Sequence, residues 1–262
     1  MLILASICPH PPILIPTIGQ ENLEQIKKTQ TAMQKLAEDF YALNPDVILI
    51  VSPHGNLMTH AFTLNTASNL TANFKNFGDM DTQLEFKTDI ALAYQIKELL
   101  ETSLPTQLII QNELDHGVSV PLFYLTKNLT SKIITMGYSF ANLQTHFELG
   151  QKLAEIIHSS DKKIAVVASG DLSHALTQDA PAPYNPQGKK FDKTLIELIQ
   201  KKDIQNILKL DVNLIEEAAE CGLKSIVILL GILAEQNYTP KILSYEGPFG
   251  VGYLVCNFEL NR

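Results

Sequence analysis

Of the seven histidines in the chain, four stand in tight turns rich in proline or glycine, where an imidazole can be held for chemistry. They are His10 in Cys8-Pro9-His10-Pro11-Pro12, His54 in Val51-Ser52-Pro53-His54-Gly55, His116 in Leu114-Asp115-His116-Gly117, and His174 in Ser169-Gly170-Asp171-Leu172-Ser173-His174. Imidazole titrates near neutrality and is the commonest metal ligand, so these positions suit proton transfer or metal binding. A lone histidine in a loop is commonplace and can be no more than a polar turn residue bonded to a carbonyl. Four in the same kind of turn point to one shared site. His60, His146 and His158 lack such neighbours and are expected on the solvated surface.

Two imidazoles do not complete a metal site, because a divalent ion usually takes a third protein ligand and keeps open positions for substrate. A carboxylate would complete the two-histidine-one-carboxylate arrangement associated with non-heme Fe(II). The candidate segment runs from Glu216 through Glu220, Cys221 and Gly222 to Lys224. Glu216, Glu220 and Lys224 are spaced i, i+4, i+8, and on spacing alone a solvated ion-pair ladder is the preferred reading. Two other patterns are set aside. Ser169 to His174 lacks the second glycine of a GxSxG nucleophile turn. Glu246 to Tyr253 lacks the GxGxxG order and the following Lys-Ser or Lys-Thr of a phosphate loop, so it reads as a tight turn feeding the last strand.

The elements that must position these side chains follow from hydrophobic periodicity. Short Ile- and Val-rich runs alternate with longer segments at helical spacing, which predicts a single α/β domain with a mixed, mostly parallel central sheet and helices on both faces. Strands are predicted at Leu2 to Cys8, Val47 to Ser52, Leu108 to Gln111, Lys132 to Met136, Ile164 to Ser169 and Gly252 to Asn257. Helices are predicted at Glu21 to Leu43, Asp89 to Glu101, His146 to Ser159, Lys190 to Lys201 and Leu214 to Glu235. Strand segments near Ala61 to Thr66 and Gln83 to Phe86 suggest a smaller excursion from the main sheet. In such sheets ligands bind beyond the carboxyl ends of the strands, which is where the four histidines fall. Thr177 to Gly188 reads as a loop long enough to be functional.

At 262 residues and 29.1 kDa the chain is long enough to bury a substantial core as one domain, residues 1–262. Twenty Lys and Arg against 28 Asp and Glu give a net charge of −8, which argues against broad nucleic-acid binding. Cys8, Cys221 and Cys256 lie far apart with no CxxC pair, so neither a disulfide framework nor a thiolate zinc cluster is expected. Met1 to Ile7 has no preceding Lys or Arg, so no signal peptide is expected. The longest apolar run, Ile226 to Ala234, is about half the ~20 residues that a membrane span needs. A cytoplasmic protein without a membrane partner is the expectation.

The order Pro-His-Pro-Pro, Ser-Pro-His-Gly, Leu-Asp-His-Gly-Val-x-Val-Pro-Leu, Ala-Ser-Gly-Asp-Leu-Ser-His, Glu-Cys-Gly-Leu and Glu-Gly-Pro-Phe-Gly-Val-Gly-Tyr, from Cys8 to Val255, resembles the class III extradiol ring-cleavage dioxygenases. More narrowly it is similar to their subunit-B-like (LigB-like) branch, which includes Memo proteins and the AmmeMemoRadiSam group. That resemblance implies iron-binding roles for His10 and His54, an acid/base role for His174, and a substrate- or oxygen-contacting role for His116. The tight spacing of Asp171 and His174, rather than the resemblance, suggests Asp171 as the group that orients His174. The dioxygenases place a glutamate where this sequence has Cys221, with Glu220 beside it, and Memo proteins are similar in having a cysteine; the resemblance therefore leaves Glu220, Cys221, or neither at full strength as the third ligand. Fe(II) is the cofactor implied, with Zn or Cu favoured if a thiolate binds. The implied partners are a small catechol-like or aminophenol-like aromatic, O₂, a second copy of the chain and, for a non-dioxygenase Memo-like protein, a radical-SAM system partner.

Overall fold

The computed structural model describes residues 1–261. In chain order its elements are β1 (Leu2–Cys8), α1 (Pro16–Gly19), α2 (Lys27–Leu43), β2 (Val47–Ser52), β3 (Phe62–Asn65), β4 (Asn69–Phe74), β5 (Asp79–Lys87), α3 (Ile90–Leu100), β6 (Thr106–Ile109), α4 (His116–Leu125), β7 (Lys132–Gly137), α5 (Leu143–Ser159), β8 (Ile164–Ser169), α6 (Pro186–Lys201), α7 (Ile204–Leu208), α8 (Val212–Ala218), α9 (Leu223–Ile232), β9 (Tyr238–Glu246) and β10 (Tyr253–Leu260). Eight strands form one sheet in the order β6-β3-β7-β2-β8-β1-β10-β9. Its centre, β7-β2-β8-β1, is parallel. β10 runs antiparallel to β1, and β3 antiparallel to β7.

Every residue of β1, β2 and β8 is buried, because helices cover both faces. That double burial makes their sequences continuous apolar runs rather than alternating ones. The period of two reappears in the packing. Val47, Leu49 and Val51 of β2 and Val166 and Ala168 of β8 face the core under α5 and α9. Ile48, Ile50, Ala165 and Val167 face the opposite core, which is filled by Met33, Leu36 and Phe40 of α2 and Val118 and Leu122 of α4. The four parallel strands thus end together at Cys8, Ser52, Gly137 and Ser169, and their outgoing loops meet at one edge.

Several boundaries differ from the sequence reading. The helix expected from Glu21 begins only at Lys27, after a 3₁₀ stretch from Gln20 to Ile26. The strand expected at Leu108 to Gln111 spans Thr106–Ile109, and an edge strand, β9, had no predicted counterpart. Phe62–Asn65 belongs to the main sheet, whereas the excursion is the separate two-stranded β4-β5 hairpin. α4 starts directly at His116 because Asp115 caps it, accepting from the Val118 amide. His146 is fully buried rather than solvated; its ring nitrogens face the carbonyls of Asn142 at 2.7 Å and Ser139 at 3.1 Å.

The largest correction concerns Leu214 to Glu235, expected as one helix. It is two helices, α8 and α9, separated by Ala219, which takes a left-handed conformation (φ 52°), and Glu220 to Gly222. The break removes the i, i+4, i+8 ladder. Glu220 instead turns back, its carboxylate accepting from the Leu223 amide at 2.6 Å. No helix among the described residues is long and apolar enough to cross a membrane.

Candidate metal centre

His10 is placed by a constraint visible in its own sequence. In Pro9-His10-Pro11-Pro12 only His10 carries a backbone N–H, and that amide donates to Asp171 Oδ1 at 2.9 Å. The bond ties the loop after β1 to the loop after β8. The His10 ring is oriented from below by Ser169, the last residue of β8, whose Oγ lies 2.9 Å from His10 Nδ1. Ser169 donates its own hydroxyl proton to the Gly117 carbonyl, so it accepts from Nδ1–H and leaves His10 Nε2 as a lone pair. Fixing one ring nitrogen by a hydrogen bond so that the other can ligate is the usual support of a metal-binding histidine.

His54 follows β2, and its amide donates to Ser52 Oγ at 3.2 Å, while the Ser52 hydroxyl donates to Asp115 at 2.7 Å. Its Nε2 faces His10 Nε2 at 3.1 Å. Cys221, in the break between α8 and α9, brings Sγ to 3.6 Å from His10 Nε2. The three donor atoms lie within 4.8 Å of one another. Bonds of ~2.0 to 2.3 Å to one tetrahedral ion would set such donors roughly 3.3 to 3.7 Å apart, so the set fits a single divalent ion.

Electrostatics favours the ligand-ready forms of the imidazoles. Burial pushes the His10 pKa well below its ordinary value, and the neighbouring His54, His116 and His174 push the same way. Burial lowers His54 to about 4, again helped by His116 and His174. Neutral rings therefore present lone pairs at pH 7. Burial raises the Cys221 thiol, with Asp171 adding to the shift, so without a cation the sulfur keeps its proton.

His116 and His174 complete the cluster. The His116 ring stacks on His54 with centroids 4.2 Å apart and stands 5.3 Å from His10. Phe77, between β4 and β5, lies edge-on to it at 5.4 Å. The His174 amide donates to the Ala218 carbonyl at 3.0 Å, and Nδ1–H donates to the Ala219 carbonyl at 2.8 Å. Its Nε2 is thereby left as the basic nitrogen, and burial keeps it neutral by lowering its pKa.

Two expectations about roles are corrected by these contacts. Asp171 does not hydrogen-bond His174; its carboxylate takes the His10 amide, with Oδ2 at 3.8 Å from His10 Nε2. Burial raises its pKa to about 7, the His10 N–H opposing. Glu220 does not converge with the histidines, and burial raises its carboxyl to about 7 against the Leu223 amide. Ser169 is a site residue that the sequence reading misses. The available signal is a hydroxyl closing an otherwise apolar, doubly buried strand.

Fold and geometry together define an α/β protein with a histidine-rich, metal-competent site at the carboxyl edge of a parallel sheet. The chain belongs to the family of catalytic LigB subunits of aromatic ring-opening dioxygenases, which it matches over residues 4–256. It is 32% identical to a Clostridium acetobutylicum protein whose name states no activity, over 96% of this chain and 56% of that protein. The chain thus spans little more than half the length of that relative. It is 22% identical to the beta subunit of a 2-aminophenol 1,6-dioxygenase of Pseudomonas sp, over 99% of this chain and 94% of the subunit. It is also 23% identical to a MEMO1 family protein of Methanococcoides burtonii, over 64% of this chain and 64% of that protein. An uncharacterized protein from Escherichia coli K12 shares the fold, with TM-score 0.70, 19% identity, and 97% of this chain and 99% of that one covered.

Proposed function

We propose that residues 1–262 form the catalytic domain of an Fe(II)-dependent extradiol dioxygenase that opens a catechol-like or aminophenol-like ring with O₂. The observation that carries this reading is the convergence of His10, His54 and Cys221 beside two further neutral histidines, in a chain of the LigB family. His10, His54 and Cys221 would hold the metal. When bound, Fe(II) supplies a centre at which the ring's heteroatoms and O₂ meet and between which electron density can pass.

The remaining chemistry falls to side chains. His174, with Nδ1–H anchored on the Ala219 carbonyl, offers Nε2 to take a phenolic proton and hand it back later, a contribution of typically ~10²- to 10⁴-fold. Its lowered pKa keeps it in the proton-accepting form at neutral pH. His116, stacked on His54 and flanked by Phe77, offers a polar edge and an aromatic edge to a bound ring. Asp171 contributes by holding the His10 turn.

The test is O₂ consumption by iron-loaded protein across a panel of substituted catechols and aminophenols. Iron-dependent uptake, falling about 100-fold or more in His174→Ala with metal content unchanged, is the expected result. Absence of uptake across the panel overturns the reading.

One observation favours a second reading. The sulfur of Cys221, rather than the Glu220 carboxylate, joins the histidines. A thiolate prefers softer ions such as Cu(I) or Zn(II), which suits a Memo-like metal- or redox-binding component of an AmmeMemoRadiSam-type system with a radical-SAM partner. In that case metal binding persists and O₂ uptake is absent.

A further inference from the structure

The β4-β5 hairpin stands apart from the main sheet, and a two-stranded hairpin on its own is only marginally stable in water. This one is tied down along its length. The Thr71 amide of β4 donates to the Asn112 carbonyl at 2.7 Å, and the Leu114 amide donates to the Thr71 carbonyl at 2.9 Å. The Asn73 side-chain amide donates to Glu113 at 2.9 Å. Phe74 is buried and meets Phe123 of α4 edge-on, with centroids 6.1 Å apart. Asp79, the buried first residue of β5, accepts from the Thr17 hydroxyl of α1 and from the amides of Asp81 at 3.0 Å and Thr82 at 2.9 Å.

The segment that β4 grips, Asn112 to Leu114, runs directly into Asp115, the cap of α4, and His116, its first residue. Hairpin and histidine are therefore held by one stretch of backbone. The hairpin tip is a 3₁₀ turn, Lys75–Phe77, closed by Gly78 in the left-handed conformation (φ 92°). It carries Phe77 to within 5.4 Å of the His116 ring, at an interplanar angle of 65°. Phe77, His116, His54 and His10 then follow one another by ring contacts of 5.4, 4.2 and 4.9 Å, from exposed Phe77 to buried His10. At 39% exposure Phe77 contributes less to a core than a buried ring does, yet the turn that bears it is braced from two sides.

We propose that Phe77 is a specificity-determining residue of the metal site, a fixed wall on which the flat ring of an aromatic chelator packs. Asp79 is then a positioning residue that acts through Phe77 by holding the turn. The inference deepens the ring-cleavage reading and rests on it for the presence of a metal-bound ring. Aromatic rings with centroids about 4.5 to 7 Å apart attract each other beyond the area they bury. A side chain already held in place loses little freedom when a ligand arrives, so the contact is expressed as affinity. The site should therefore prefer an aromatic chelator to a non-aromatic one with the same pair of ligating oxygens, and Phe77 should be the source of that preference.

The experiment is equilibrium calorimetry under argon on protein loaded with Fe(II) and, separately, with Zn(II). The probes are catechol and acetohydroxamate, which both chelate through two oxygens, although only catechol has a ring. Phe77→Ala is expected to weaken catechol about tenfold while acetohydroxamate affinity and metal content stay within about twofold. Phe77→Tyr, which keeps the ring, should hold catechol within about threefold of wild type. Asp79→Ala should weaken catechol at least threefold, again sparing acetohydroxamate, and Asp79→Asn, which keeps an oxygen for the Asp81 and Thr82 amides, should recover most of that loss. Unchanged catechol affinity in Phe77→Ala, equal losses for both probes, or no catechol binding to wild type with either metal overturns the proposal; wild-type catechol affinity in Asp79→Ala overturns the positioning role. Admitting air to the Fe(II) samples separates the two ideas. Phe77-dependent catechol binding without O₂ uptake supports the wall and counts against ring cleavage, and O₂ uptake with catechol affinity indifferent to Phe77→Ala does the reverse.

Discussion

Gly170 and Gly222 sit back to back, so close that a Cβ on Gly170 would fall 2.1 Å from the Gly222 Cα. This contact presses the loop after β8 against the break between α8 and α9. It lets the Asp171 amide donate to Cys221 Sγ at 3.3 Å and the Cys221 amide donate to the Asp171 carbonyl at 3.3 Å. The neighbour is backbone and cannot rotate away. We expect Gly170→Ala to separate the two loops, costing about 1 to 3 kcal/mol of stability and lowering metal occupancy at least several-fold. Urea unfolding and elemental analysis measure the two effects; a variant with both unchanged would show that the contact does not position Cys221.

The choice between Cys221 and Glu220 as third ligand yields a paired prediction. Cys221→Ser removes the soft donor that lies 3.6 Å from His10 Nε2, so metal affinity should fall at least tenfold. Glu220→Gln keeps an acceptor for the Leu223 amide and leaves the donor set intact, so affinity should stay within about threefold. Competition with a chromophoric chelator reads both. The opposite ranking would restore a two-histidine-one-carboxylate centre and remove the main support for the Memo-like alternative.

What the sequence makes legible is whatever local chemistry determines. β2 and β8 are readable because burial on both faces writes itself as unbroken Ile and Val. His10 and His54 are readable as site candidates because Pro and Gly fix the turns around them. Features that depend on long-range contact are not readable. Nothing in Ala218-Ala219-Glu220 announces a left-handed residue, since alanine favours helix, and the break follows from packing of Gly222 on Gly170. Proximity in the chain points Asp171 to His174, three residues away, because pairing of β1 with β8, which brings it to His10, is a property of the sheet. His146 falls early in an amphipathic helix, and only the docking of α5 against the loop after β7 buries it.

Ser169 should matter first through His10, whose Nδ1–H it accepts, and second through the Gly117 carbonyl, to which it donates. Ser169→Ala removes the acceptor of the His10 Nδ1–H and leaves that nitrogen buried without its partner. The ring is then free to adopt the other tautomer or to tilt, and loss of such an orienting partner typically costs ~10- to 100-fold in metal affinity. Ser169→Thr, which keeps the hydroxyl, should recover most of it if the added methyl is accommodated. Wild-type affinity in Ser169→Ala would mean that the prolines beside His10 suffice to aim it.

Asp192 gives a prediction about pH. It lies on α6 with no solvent exposure, and its two oxygens accept from the Ser173 amide at 2.8 Å and the Tyr245 hydroxyl at 2.6 Å. Among the described residues no Lys, Arg or His nitrogen comes within 4.0 Å of its carboxylate, and burial raises its pKa to about 6 in spite of those two donors. The folded chain therefore holds the proton more tightly than the unfolded chain, whose carboxyl titrates near ~3.9. The resulting stabilisation is fully present below that value and is lost as pH rises through about 6. Two pKa units correspond to an upper limit of about 3 kcal/mol. An amide at this position cannot titrate, so the stability of Asp192→Asn relative to wild type should improve steadily between pH 4 and 7. Urea unfolding at unit pH intervals measures this, and parallel curves for the two proteins would show that the carboxyl is ionised in both states. Because Asp192 grips Ser173, the residue before His174, the same titration should loosen or tighten the turn that carries the proposed base, and the pH dependence of His174 resonances should show an inflection near 6 that Asp192→Asn lacks.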